Sequence, residues 1–346
     1  MANLLSLRCV SSGLFLTASM LGGSAFAAKA PSLVVINQTD VTVSIVDAAT
    51  GKSVATLPEM TAPVHGHEAA VSPDGKTAYV PVYSNVGVGG KGLDGSTMLV
   101  IDVASRKITG TVDFGHGVRP HCAVFNAATG LLYVTTELDK TVTVIDPKTL
   151  KIVGTVPTGQ PESHMLAVTK DGTRGYTANV GSGTVSVLDL KAKKTVTIIP
   201  VVVKPAEKSH WGVQRIALST DDKLVFTSDE SKPRLAVIDT ATNEIKTWVE
   251  LPGLGYGAAA TKDGKFLLVC IPAEKLIAVV DLKTMAVVKT IPVPGLPQEV
   301  LVRPDGKVAY VSCNVSGQVA AIDTAAWKVE QIIDTGKGAD GLAWAR

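Results

Sequence analysis

Seven apolar runs along this chain each close on an aspartate, at Asp47, Asp102, Asp146, Asp189, Asp239, Asp281 and Asp323, always directly after Val, Leu or Ile. The spacings between them are 55, 44, 43, 50, 42 and 42 residues. That period belongs to a four-stranded sheet repeated around an axis and not to a stack of helices. Each copy reads in one order: an apolar stretch, a tight turn, a second apolar stretch, a loop, the strand ending in Asp, and a last strand.

The copy beginning at Ala69 is the clearest. Ala69-Ala70-Val71 precedes Ser72-Pro73-Asp74-Gly75-Lys76, whose Pro and Gly suit a tight turn, and Thr77-Ala78-Tyr79-Val80 follows. Equivalent turns stand at Lys170-Asp171-Gly172, Lys262-Asp263-Gly264 and Pro304-Asp305-Gly306, with altered versions at Ala127 to Gly130 and Asp221-Asp222. Third strands such as Thr141-Val-Thr-Val-Ile-Asp146 are rich in the Thr, Val and Ile that pleated, half-buried strands favour. No long stretch has helical periodicity, so the chain is expected to be all-β, a seven-bladed β-propeller of four-stranded antiparallel blades.

The two ends supply the closure. Residues 33–58 contain second, third and fourth strands without a first, and Ala339 to Arg346 reads as a first strand with nothing after it. Joined, they make the seventh blade and remove the exposed edge of an open array.

Pro-Asp-Gly-Lys-x-Ala-Tyr-Val, at Pro73 to Val80 and again at Pro304 to Val311, with Val-Ile-Asp some way on, resembles the YVTN-repeat, YncE-like β-propellers of bacterial and archaeal envelopes. The resemblance covers essentially the whole mature chain. It implies the fold directly and leaves function open, since such repeats range from binding and surface proteins to relatives of seven-bladed lactonases and lyases.

Met1 to Ala27 has a basic Arg8, an apolar centre from Cys9 to Leu21 and Ala25-Phe26-Ala27 as a small-x-small cleavage signal, so a cleaved signal peptide over 1–27 and a single propeller domain over 28–346 are expected. The mature protein is expected in the periplasm or outside the cell, without a membrane span. Net charge is only +2 with Lys and Arg scattered, which lacks the footprint expected for nucleic acid. Three cysteines remain after cleavage, Cys122, Cys270 and Cys313; they give no disulfide framework, and there is no Cys-x-x-Cys-His haem motif. Gly87-Val-Gly-Gly-Lys-Gly92 matches the dinucleotide pattern by letters only, because a strand and not a helix follows it, so NAD is not expected. Ser163 beside His164 is not a triad, since neighbours on a strand point to opposite sides.

In a propeller the residues just before each innermost strand converge on one mouth of the central channel. Aligned there are His67, Pro120, His164, Gln214, Tyr256, Gln298 and Asp340, and one position later Glu68, His121, Met165, Arg215, Gly257, Glu299 and Gly341. All six histidines, His65, His67, His116, His121, His164 and His210, lie in or near these segments. Metal candidates are therefore His65, His67, Glu68, His121, Glu162, His164 and His210, for Zn, Cu or Fe, or for Mg or Mn if carboxylates dominate. Gln214, Tyr256, Gln298, Glu299 and Asp340 are candidates for contacting a small ligand. Arg119 and Arg215 either hold an anionic ligand or pair with Glu68, Glu162 or Glu299.

Two long loops, Tyr83 to Thr97 and Val201 to Gly212, fall on the same side, and loops of this length are expected either to form a lid over a ligand or to be disordered. The leading expectation is a binding protein for a divalent metal or a small acidic ligand. One alternative is a metal-dependent lactonase- or lyase-like enzyme, in which His121 or His164 moves a proton and Arg119 or Arg215 grips a carboxylate. The other is a scaffold that meets an envelope protein partner.

Overall fold

The computed structural model describes residues 1, 31–202 and 212–346. The expected signal peptide beyond Met1, and His210 and Trp211 in the second long loop, lie outside the described residues. The rest forms seven sheets and, among the described residues, no helix.

Numbered along the chain, the sheets are blade 1 (65–113), blade 2 (120–157), blade 3 (163–200), blade 4 (217–250), blade 5 (258–292) and blade 6 (297–334), each running from inner to outer strand in sequence order. Blade 7 is composite. Its inner strand is Ala339–Ala345 and its other three are Ser32–Asn37, Thr42–Asp47 and Lys52–Pro58. The join is antiparallel, with Ser32 opposite Ala345, Leu33 opposite Trp344, Val34 opposite Ala343 and Val35 opposite Leu342.

The repeated aspartates have a local cause. Each carboxylate caps the outer hairpin by accepting a backbone N–H two or three residues on, from Ala49, Ser105, Lys148, Ala192, Ala241, Lys283 and Ala325 in turn. Four residues after each aspartate the backbone turns left-handed, at Gly51, Arg106, Leu150, Lys193, Asn243, Met285 and Trp327. Only one of these is glycine, so the Asp cap holds a turn whose central residue is mostly not suited to it. The first hairpins behave as expected: Gly75, Gly172, Gly264 and Gly306 all have positive φ, and Asp222 takes that conformation in the altered turn of blade 4.

Middle strands alternate apolar side chains into the layers between neighbouring blades. Typical are Val142, Val144, Tyr176, Val185 and Val187 between blades 2 and 3, all buried. Cys270 and Cys313 sit in the layer between blades 5 and 6, as small core residues.

The innermost strands break register where the polar residues stand. In blade 1 the strand is split into His65–Gly66 and Ala70–Val71, which frees His67 and Glu68 from the ladder. Register also shifts around His121 in blade 2, His164 in blade 3, Gln298 and Glu299 in blade 6, and Asp340 and Gly341 in blade 7. The ladder gaps are filled by hydroxyls: Thr135 Oγ1 accepts from the Cys122 amide at 2.9 Å, and Ser312 Oγ from that of Glu299 at 3.1 Å. Such bulges re-aim side chains at the end of a sheet, and here all five aim toward one mouth.

The glycine-rich loop of blade 1 is shorter than its sequence suggested. Strands run to Ser84 and restart at Asp94, leaving 85–93 as the connection. Gly95 lies against the Val82 carbonyl, where a side chain has no room. The backbone can therefore pair further than composition implied.

Candidate functional site

The mouth opens into a polar cavity of about 420 Å³. Of the first aligned ring, His67, His164, Gln214, Tyr256, Gln298 and Asp340 line it, with Pro120 left out; His121 and Arg215 come from the second ring, and His65 joins them.

On one side the imidazoles gather. His121 and His164 stack with ring centroids 3.5 Å apart, His67 lies 5.2 Å from His121, and His65 stacks on His67 at 4.9 Å. Tyr83 stands edge-on to His67 and His121, 4.9 Å from each. Glu137 accepts from the Tyr83 hydroxyl at 2.7 Å and lies 2.8 Å from His164 Nδ1. A carboxylate only accepts, so His164 donates from Nδ1 and, when neutral, keeps its Nε2 lone pair free. Gln38 holds the nitrogen edge of His67, 2.6 Å from Nδ1, and donates to Asp340 at 2.9 Å. His121 is buried and neither of its ring nitrogens has a hydrogen-bond partner; His65 Nδ1 is likewise unmatched. Burial, then the neighbouring imidazoles, push His67 and His121 well below the usual histidine range, so both are neutral at pH 7. Among the described residues no group of three or more His, Cys, Asp and Glu side chains is arranged to hold a metal ion as it stands.

On the other side carboxyls outnumber cations. Arg215 is buried, bonded through Nη1 to Glu68 and through Nη2 to Asp340 at 3.2 Å, and its guanidinium lies 4.7 Å from the centre of the Tyr256 ring. Burial opposes its charge, yet Glu68, Tyr256 and Asp340 more than offset that and hold it well above its usual range. Asp340 is pushed up to about 7 and Glu299 well above the carboxylate range, both by burial first. Glu299 accepts from the Leu342 amide at 2.7 Å and does not line the cavity. A chain of bonds runs onward from Tyr256 Oη to Gln214 Oε1 at 2.9 Å and from Gln214 Nε2 to Glu230 at 3.1 Å.

Both arginines are thus already occupied. Arg119 Nε bonds Asp94 at 2.6 Å and its Nη2 bonds the Gly90 carbonyl at 2.8 Å, so it pins the loop 85–93 over the rim, where Asn85 to Val88 face the cavity. Arg215 keeps only its buried Nε unmatched, and its partner through Nη1 is Glu68, one of the residues expected to pair with it. Glu162 is half-buried, faces away from the cavity lining and contributes its backbone carbonyl to Val180. His116 is exposed and bonds Asp139 at 2.9 Å.

Residues 215–345 match the family model for YNCE-like beta-propellers. This YNCE-like span runs from blade 4 into the closing strand and carries Arg215, Tyr256, Glu299 and Asp340, whereas all four cavity histidines precede it. No curated protein matches the chain. Among solved structures, hydrazine synthase of Kuenenia stuttgartiensis superposes with a TM-score of 0.66 at 17% identity, over 80% of this chain and 89% of that one. Dihydro-heme d1 dehydrogenase NirN in complex with DHE gives a TM-score of 0.62 at 15% identity, over 90% of this chain and 74% of that one. Identities this low show the propeller fold alone.

Absent from the sequence expectation were Gln38, Tyr83, Asn85, Glu137, Glu230 and Asn314. Most share one position, directly after the second strand of a blade, where Gln38, Asn85, Glu137, Val180, Glu230, Pro272 and Asn314 stand in turn. Those loops were expected on the mouth side, and aligning them as the inner strands were aligned yields this second ring.

Glu230 gives a pH test. It is buried, with one oxygen unmatched, and burial lifts its carboxyl to about 8. A carboxyl raised in the folded state binds more protons there than in the unfolded chain. Its contribution is therefore full below about pH 4.5 and lost as pH rises through about 8. In thermal melts between about pH 5 and pH 9, Glu230→Gln should flatten the alkaline decline seen in the wild type; an unchanged decline would show that Glu230 ionises freely.

Proposed function

We propose that this chain is a binding propeller whose channel mouth receives a cation, a divalent transition metal with imidazole ligands from His121 and His164. His67 completes the set once the Gln38 amide gives way. The observation that carries this reading is His121, a buried imidazole with two unmatched nitrogens next to a second imidazole whose Nε2 is left free. Native proteins rarely leave such a group unmatched, and a borderline cation would take the lone pair of one of its two nitrogens. Glu137 against His164 Nδ1 is the outer-shell carboxylate that orients a ligating histidine. Binding requires the stacked rings of His121 and His164 to part and turn toward a common point.

The paired arginines support this reading over an acidic ligand or a lactonase-like reaction, because Arg119 is bonded to Asp94 and the Gly90 carbonyl and both terminal nitrogens of Arg215 are bonded to carboxylates. The basic, apolar and small-residue pattern of Met1 to Ala27 supports export before the ion is met; among the described residues no helix is long and apolar enough to cross a membrane.

The test is metal content after dialysis against Zn(II) or Cu(II), using mature protein without a histidine tag. About one ion per chain is expected in the wild type and in His116→Ala, which alters an exposed ring, and none in His121→Ala. Equal retention by His121→Ala would place the ion elsewhere.

A further inference from the structure

Beside the mouth, between blades 4, 5 and 6, lies a second pocket of about 340 Å³. Its walls are mostly apolar: Leu254, Tyr256, Pro272, Ala273 and Leu296. No lysine or arginine lines it among the described residues. One acid does. Glu230 is 6% exposed, its Oε2 accepts from Gln214 Nε2 at 3.1 Å, and its Oε1 has no partner among the described residues.

The charge balance around that acid decides which ligand fits. Glu68 and Asp340 bond Arg215, and Glu299 and Glu230 lie within the field of the same guanidinium, so four carboxyls, Glu299 half-buried and the other three buried, share one cation. An anion entering the pocket meets this excess of acid. A neutral molecule gains one hydrogen bond. An ammonium draws Glu230 into its ionised form, displacing the proton that burial keeps on it, and so gains an ion pair in a site of low dielectric beside the unmatched Oε1. A bare metal ion fits poorly, because beyond Glu230 only the amides of Gln214 and Gln298 could ligate it while the mostly apolar walls take its hydration away.

We propose that this pocket binds a small organic cation, an ammonium whose nitrogen pairs with the Glu230 carboxylate once that side chain turns Oε1 toward the pocket, and whose apolar body packs on Leu254, Pro272, Leu296 and the Tyr256 ring. The pocket contains none of the imidazoles, so the assignment stands apart from metal binding at the mouth. It adds a second kind of ligand to the same face.

The experiment is calorimetric titration of metal-free mature protein with three probes of one shape: cyclohexylammonium, cyclohexanol and cyclohexanecarboxylate. The wild type is expected to bind cyclohexylammonium saturably, at least about tenfold tighter than cyclohexanol, and to show no binding of the carboxylate. Glu230→Gln keeps the shape of the site and should erase the preference for the ammonium over the alcohol. Leu254→Lys, at an exposed position on the rim, places a cation in the pocket and should abolish ammonium binding with no loss of thermal stability. The proposal is overturned if no probe binds, if alcohol and ammonium bind alike, or if folded Glu230→Gln retains the preference.

Discussion

Removing Leu342 to Arg346 is expected to unfold the protein or leave it insoluble at 37 °C. These residues form most of the inner strand of blade 7 and make most of its ladder with Ser32 to Val35, beside the smaller links of Asn37 with Ala339 and of the Gln38 amide with the Gly338 carbonyl. Leu342, Ala343 and Ala345 are buried, and Trp344 stacks on Tyr310 of blade 6 with centroids 5.9 Å apart. Losing one buried Leu costs about 2–5 kcal/mol. Losing the ladder as well exposes a strand edge on a protein whose whole stability is of order 5–15 kcal/mol. The single change Leu342→Ala keeps the ladder and should cost about 2–4 kcal/mol in urea unfolding. Wild-type stability in the truncated chain would refute closure by these strands.

The second large effect falls on Arg215. Replacing it with Met keeps the volume and removes the cation shared by Glu68, Asp340, Glu299 and Glu230. Breaking a buried ion pair from one side costs about 3–5 kcal/mol, because the partner is left as an uncompensated charge. The stranded acids escape by taking up protons, and the already raised pKa values of Asp340, Glu299 and Glu230 rise further. The variant should then be closest to wild type near about pH 5 and fall away from it as pH rises toward about 8. Denaturant unfolding at both values measures this. A loss below about 1 kcal/mol at the higher pH would mean that Glu68 and Asp340 have another counter-charge.

Much of this was legible in the chain because the repeat fixes geometry. Once the aspartates set the period, Asp47 and Ala339 had to belong to one blade, and aligning the inner strands brought His67, His164, Gln214, Tyr256, Gln298 and Asp340 to one cavity. Pairing was not legible. Arg215 and Glu68 are 147 residues apart in sequence and meet only because the ring is closed. Nor could alignment show that Glu162 sits at a left-handed backbone position, φ 52°, beside the cavity and not in its wall. The register shifts that aim His121 and Glu299 depend on hydroxyls of the second strand, Thr135 and Ser312, which look like ordinary strand residues. The second polar ring, with Glu137 and Glu230, was readable and needed only the loops to be aligned like the strands.

Cation binding at the mouth, proposed around His121, has a direct readout. Calorimetric titration of tag-free mature protein with Zn(II) or Cu(II), in parallel with His121→Ala, tests it most directly. One saturable site per chain is expected in the wild type, with its heat absent from a variant that melts at the same temperature. No saturable heat in the wild type, or the same heat in both proteins, would contradict it.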